Sequence, residues 1–336
     1  MSKRNQLKNI AILGGGSWGG TLAQHLANIG HRVSVWHRNG DELSQMAEKR
    51  RHPFMKNLEF SPSIRFVEDM ERIGKPEIII IGVPTHGVRD LMTGLPEKLK
   101  SSTFVNLAKG IENDTLMRMS EVIKESAGLS PDKIVTLSGP SHAEEVAEGL
   151  PTTLVAGGVN TVTCETVQHV FSSSSIRVYM NMDIIGVELG GSVKNVIALA
   201  SGVCDGIGFG DNTRAALITR GIVEITRLGI SIGGKAETFA GLSGIGDLIA
   251  TCLSQHSRNR YVGEQIGRGR SLEEVLDEMT MVAEGVKTSR SVKALSEKQF
   301  VEMPICNAIY ELLYEGLDPK EAVNRLMTRS LGSEDH

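Results

Sequence analysis

The sequence predicts an α/β fold for the first half of the chain and a mainly α-helical second half, on three observations. Apolar runs without polar alternation recur between Asn9 and Tyr179, as strands covered on both faces should. A glycine cluster directly follows the first run and opens an amphipathic segment. Beyond Asp183 the alternation stops, and helical patterns separated by glycine turns occupy most of the remainder. A chain of 336 residues exceeds one ordinary core, so two domains are expected, residues 1–182 and residues 183–332.

A net charge of −4 argues against general nucleic-acid binding, which needs a basic excess, and leaves a small molecule as the expected partner. Cys164, Cys204, Cys252 and Cys306 stand far apart, with no CxxC pair and no metal-ligand spacing, so a reduced, cytoplasmic setting without a metal is expected. No stretch is read as a membrane span of ~20 apolar residues, and no stable membrane insertion is expected. The closing GSEDH reads as a frayed tail.

In chain order, Asn9 to Leu13 is a strand, Gly14 to Gly19 a turn, and Thr21 to Ile29 a helix ending at Gly30. That order is the context a GxGxxG motif requires. Gly14 permits the tight turn, Gly16 lets backbone approach a pyrophosphate, and Gly19 allows close helix–strand packing. The expected fold class is therefore α/β, a Rossmann-like dinucleotide-binding domain followed by the helical one. The second strand, Arg32 to Trp36, ends in His37-Arg38-Asn39 rather than in an acid. Arg38 offers a planar fork for a 2′-phosphate, and His37 is available to stack or donate, so NADPH is favoured. The nearby Asp41 and Glu42 leave NADH usable, and Arg38 also reads as an ordinary surface arginine.

Further strands are expected around Glu77 to Val83, Thr103 to Ala108 and Ile134 to Ser138, in a parallel sheet, with Thr153 to Gly157 and Ile176 to Tyr179 closing it. Ligands bind such sheets beyond the strands' carboxyl ends, where Lys109-Gly110 and Gly139-Pro140-Ser141 fall. Lys109 there is either an anion ligand or a capping lysine.

In the helical half, Gly186, Gly190 and Lys194 fall four residues apart and share one helix face. Interior glycines destabilise a helix, so Gly186, Gly190 and Gly191 mark a close approach to the backbone. Either something is admitted near Lys194, or the helix merely packs tightly and the lysine reaches outward. Glycines also crowd Asp247 from its amino-terminal side, which presents a carboxylate, or a simple cap, at a helix start. Ser257-Arg258-Asn259-Arg260 is material for holding a phosphate, or a solvated basic loop. Val282 and Glu284 lie in a turn before a helix expected to start near Lys287.

Taken together and in this order, GGGSWG, the Lys109-Gly110 turn, SGPS, GGSVKN, GLSGIGDL, SRNR and VAEG resemble the bacterial NAD(P)-dependent glycerol-3-phosphate dehydrogenase family. The resemblance implies reversible reduction of dihydroxyacetone phosphate to sn-glycerol 3-phosphate for phospholipid synthesis, by a homodimer. By the same resemblance Lys194 is the proton donor and acceptor. Ser17, Trp18, Arg38, Lys109, Ala143, Arg258, Val282 and Glu284 would contact the cofactor, beside the glycines Gly14, Gly16 and Gly19. Lys109, Gly139, Ser141, Lys194, Asp247, Ser257, Arg258 and Asn259 would surround the substrate. A hydroxyacid or 6-phosphogluconate dehydrogenase, or a non-catalytic NADPH sensor, shares parts of this pattern.

Overall fold

The structure is a computed structural model and describes residues 7–279, 281–331 and 333, so only Ser333 of the closing GSEDH is among them. Its strands are β1 (Asn9–Leu13), β2 (Arg32–Trp36), β3 (Arg65–Val67), β4 (Ile78–Ile81), β5 (Thr103–Asn106), β6 (Ile134–Ser138), β7 (Thr152–Gly158) and β8 (Ile176–Asn181). The helices of the first half are α1 (Ser17–Asn28), α2 (Gly40–Lys49), α3 (Val88–Thr93), α4 (Met119–Ala127), α5 (Ala143–Ala147) and α6 (Thr161–Phe171). Those of the second are α7 (Ile184–Ile207), α8 (Asp211–Ser231), α9 (Ala236–Phe239), α10 (Asp247–Leu253), α11 (Arg258–Gly267), α12 (Leu272–Asp277), α13 (Glu284–Lys298), α14 (Pro304–Tyr314) and α15 (Pro319–Met327).

One eight-stranded sheet runs in the order β3-β2-β1-β4-β5-β6-β7-β8, the first six being the doubly wound order of a Rossmann-like domain. Its strands lack polar alternation because both faces are covered: Ile78 and Ile80 enter one core cluster, Ile79 and Ile81 the cluster on the opposite face.

The sheet is not parallel throughout, as the apolar runs suggested. β7 pairs antiparallel with β6, and β8 runs parallel to β7. The cause is the connection. A parallel crossover needs a helix that carries the chain back across the sheet, and α5 has five residues, roughly 7 Å of rise. The chain therefore re-enters from the end at which β6 left it.

α7 is the axis of the second half. Asp183 caps it, accepting from Gly186 N–H at 3.0 Å. Glu188 fastens it to the sheet, accepting from Ser120 N–H (2.8 Å), Thr136 Oγ1 (2.9 Å) and the Arg118 guanidinium (2.7 Å). By length and composition α7 would pass for a membrane span, but 94% of its most apolar window is buried within the protein. The four cysteines are buried and unpaired.

The glycines of this axis do mark close approaches, and what approaches is protein. A β-carbon on Gly190 would stand 2.6 Å from Ser243 O, and one on Gly186 2.8 Å from the Thr238 side chain. Further along, a β-carbon on Gly202 would stand 1.9 Å from Arg260 O, and one on Gly263 of α11 2.0 Å from Leu199 O. α7 and α11 thus lie backbone against backbone.

Candidate active site

The turn after β1 divides its glycines by use. Gly14 has φ +113°, and a β-carbon there would meet Gly82 backbone at 2.6 Å; one on Gly19 would stand 2.0 Å from Gly14 O. One on Gly16 would meet no described residue within 4 Å, so the turn is open there. α1 begins at Ser17, four residues before the expected start, so its free N–H groups face that opening.

His37 is not free to donate to a ligand, one of the two uses its position suggested, although the ring lines the same cleft as Arg38. Its Nδ1 accepts from Gly15 N–H at 3.0 Å, and its Nε2–H donates to Glu42 at 3.1 Å, so it braces the glycine turn. Glu42 is thereby occupied, and Asn39 donates to it as well. Arg38 has no such partner among the described residues. It lines a cleft of about 630 Å³ with Trp36, Met70, Val83, Pro84, His86 and Asp90.

Across from the turn stands the loop before α13, a helix that starts at Glu284 rather than near Lys287. Ser17 Oγ meets Met281 Sδ at 3.3 Å, and Thr85 N–H donates to Glu284 at 3.0 Å. Thr85 Oγ1 and Glu284 Oε2, both buried, have no partner among the described residues. Val282 is exposed beside them, Trp18 is half buried against the first core, and Ala143, at the start of α5, accepts from Thr21 Oγ1 at 3.4 Å. Unsatisfied buried polar atoms, an open glycine and a free helix terminus are what a dinucleotide would fit.

The chemical centre joins the two halves. Lys194 is only 6% exposed, and its Nζ donates to Asp247 Oδ1 at 2.7 Å and to Thr251 Oγ1 at 2.6 Å. Lys109 donates to the other carboxylate oxygen at 2.6 Å and to Gly139 O at 3.0 Å. Burial, aided by Lys109 and opposed by Asp247, lowers the Lys194 ammonium to about 8. Burial alone would raise the Asp247 carboxyl, but the two ammoniums outweigh it and hold the group below the usual carboxylate range. Lys194 therefore does not reach outward. Thr251, one turn beyond Asp247 on α10, carries no motif that would have singled it out.

The remaining residues differ in what they leave free. Ser257 caps α11 by accepting from Arg260 N–H at 3.2 Å. Asn259 is satisfied at both ends, donating to Asn195 Oδ1 at 3.0 Å and accepting from Gly285 N–H at 2.9 Å. Asn195 in turn donates to Lys109 O at 3.4 Å. Arg260 pairs with Asp205 at 2.7 Å, whereas Arg258 is exposed and has no partner among the described residues. Ser141 Oγ donates to Gly139 O at 3.0 Å, and the neighbouring His142, also missed in the sequence, donates to Ala250 O at 3.3 Å.

Models of the NAD-dependent glycerol-3-phosphate dehydrogenase N-terminus and C-terminus match residues 9–164 and 183–324. The chain belongs to that family. A glycerol-3-phosphate dehydrogenase [NAD(P)+] of Pelodictyon phaeoclathratiforme is 50% identical over 330 residues, 97% of this chain and 99% of the relative. One from Salinibacter ruber is 48% identical over 326 residues, 96% of this chain and 95% of the relative. Among solved structures, the glycerol-3-phosphate dehydrogenase of Coxiella burnetii superposes with TM-score 0.91 at 36% identity, over 96% of this chain and 99% of that one. This dehydrogenase shares the fold alone with a D-mandelate dehydrogenase, at TM-score 0.61 and 14% identity, over 94% of this chain and 99% of that one.

Proposed function

We infer that this dehydrogenase reduces dihydroxyacetone phosphate reversibly to sn-glycerol 3-phosphate, with NADPH as preferred and NADH as usable cofactor, and that Lys194 is its acid/base. The observation that carries the assignment is a buried ammonium sharing one carboxylate with a second lysine at the junction of both halves. Residues 1–182 bind the dinucleotide at Gly14, Gly16, Gly19, Ser17, Trp18, Arg38, Ala143, Val282 and Glu284, the last two reaching over from residues 183–332.

When bound, the reduced nicotinamide supplies the hydride to the ketone carbon. As charge grows on the carbonyl oxygen, the Lys194 ammonium stabilises it and gives up its proton. An ammonium lowered to about 8 is still charged at neutral pH, yet is a far readier donor than an ordinary lysine. Asp247 and Thr251 hold the nitrogen in place through proton loss, and Lys109 keeps Asp247 ionised. Arg258, without a partner among the described residues, takes the substrate phosphate. Ser257, Asn259, Ser141 and Gly139 shape the pocket through the backbone they tie down. In the reverse direction the neutral Lys194 amine removes the hydroxyl proton. The same reading makes the enzyme a cytoplasmic homodimer, without membrane insertion, that supplies the phospholipid backbone.

The test is nicotinamide absorbance on adding dihydroxyacetone phosphate, with 3-hydroxyacids and 6-phosphogluconate offered alongside oxidised cofactor. Oxidation of NADPH by dihydroxyacetone phosphate alone is expected. No turnover with it, or turnover of the hydroxyacids instead, would overturn the reading.

A further inference from the structure

The cleft at the end of β2 gathers more positive charge than Arg38 brings. His86, on the turn after β4, lines the same cleft. The start of α13 docks onto that turn through Thr85 N–H and Glu284, which carries Lys287, nearly one helical turn further on, toward His86. Of the charged groups acting on His86, Lys287 is the strongest, ahead of Glu284 on the same helix, Arg38 at the end of β2 and Asp90 on α3. Arg38, His86 and Lys287 come from three elements, and none has a hydrogen bond or ion pair with a described residue. Two cations and an imidazole left without acceptors around one cleft are the arrangement that a multiply charged anion satisfies.

We propose that His86 and Lys287 join Arg38 in recognising the 2′-phosphate of NADPH, so that the helical half as well as the nucleotide half sets the choice of cofactor. The proposal rests on the dinucleotide reading above and adds two residues to it. It also gives recognition a pH dependence. Burial, Lys287 and Arg38 lower the imidazolium of His86 below its ordinary value of 6.5, against the opposing pull of Glu284 and Asp90. A phosphate set among the three side chains reverses that balance, so binding is accompanied by proton uptake at His86.

The experiment is calorimetric titration of the full-length protein with 2′,5′-ADP and with 5′-AMP, which differ by the 2′-phosphate and a proton count that the calorimeter reads. The double variant His86→Gln/Lys287→Met is expected to weaken 2′,5′-ADP by about tenfold or more, and to leave 5′-AMP unchanged. In the unmodified protein the preference for 2′,5′-ADP grows as pH falls from about 8 to about 6, with a buffer-dependent heat that His86→Gln abolishes. Lys287→Arg, which keeps the charge, retains the preference and controls for damage to the fold. Equal weakening of both nucleotides, or no weakening of either, would overturn the proposal while leaving the dinucleotide reading intact. Failure of both nucleotides to bind the unmodified protein would overturn the two together.

Discussion

Gly16 and Gly202 both lack a β-carbon, and the space where it would stand is used in opposite ways. Beside Gly16 no described residue lies within 4 Å, whereas beside Gly202 the carbonyl of Arg260 is 1.9 Å from that point. The turn after β1 keeps its space for a ligand. The face of α7 gives its space to α11 and to the turn before α10, and so brings Asp247 onto Lys194 in the buried interior. A glycine in a sequence reports a close approach without reporting by what. Here one set makes a binding site by staying open, and the other makes a catalytic site by being filled.

The largest expected effect lies at the product of the filled set. Lys194→Ala should lower the turnover of ketone reduction by roughly 10²–10⁴-fold, the usual worth of a positioned proton donor, with little change in substrate KM. Its melting temperature should hardly move, because Asp247 keeps Lys109 as a partner and no buried charge is orphaned. In the unmodified enzyme, reduction should fall as pH rises through about 8, where the ammonium is lost, and oxidation should rise over the same range. Near-normal turnover in the variant would remove Lys194 from the chemistry.

The next two substitutions set the two glycine sets against each other. A helix-interior Gly→Ala change ordinarily stabilises by up to ~1 kcal/mol. Gly202→Ala should do the reverse, because the methyl meets backbone that cannot rotate away, and should cost on the order of 1–3 kcal/mol. Gly16→Ala should leave the melting temperature alone, since its φ of −66° suits alanine and no atom of a described residue stands in the way. It should instead raise the dinucleotide KM about tenfold, by filling the space through which backbone meets phosphate. Thermal melts with parallel kinetics decide the matter. A stable Gly202→Ala, or a Gly16→Ala that melts early with unchanged KM, would erase the distinction.

How far the sequence reveals this site follows from the same distinction. The glycine turn was readable because strand, turn and helix are contiguous, so the motif carries its own context. The lysine helix was readable as a crowded face, but only the fold shows that Thr238, Ser243 and Arg260 do the crowding. Thr251 and His142 escaped notice because each acts through a contact more than fifty residues away along the chain. Ser257 and Asn259 looked like free donors because a sequence does not reveal that a hydroxyl is used as a cap or an amide as a bridge between helices. The reversal of β7 followed from the length of α5, a quantity whose consequence depends on where β6 ends in space.

The smallest effect comes from a carboxylate buried like Asp247 but without ammonium partners among the described residues. Glu224 of α8 is 3% exposed and accepts from Ile305 N–H at 2.7 Å and Cys306 N–H at 3.2 Å, at the start of α14. Burial raises its carboxyl to about 7, since those two N–H groups and the charge of Arg227 only partly offset the loss of water. Asp247, equally buried, is held low because two lysines face it. For Glu224 the folded value stands above the unfolded one, so its contribution to stability is complete below 4.5 and is lost as pH rises through about 7. Glu224→Gln, which keeps an acceptor for α14 but cannot ionise, should therefore gain on the unmodified protein by on the order of 1 kcal/mol between about pH 5 and 8. Melting temperatures of both across that range measure it. A constant difference would mean that Glu224 is already ionised in the folded protein throughout that range, and that the two N–H groups of α14 outweigh the loss of water instead of only partly offsetting it.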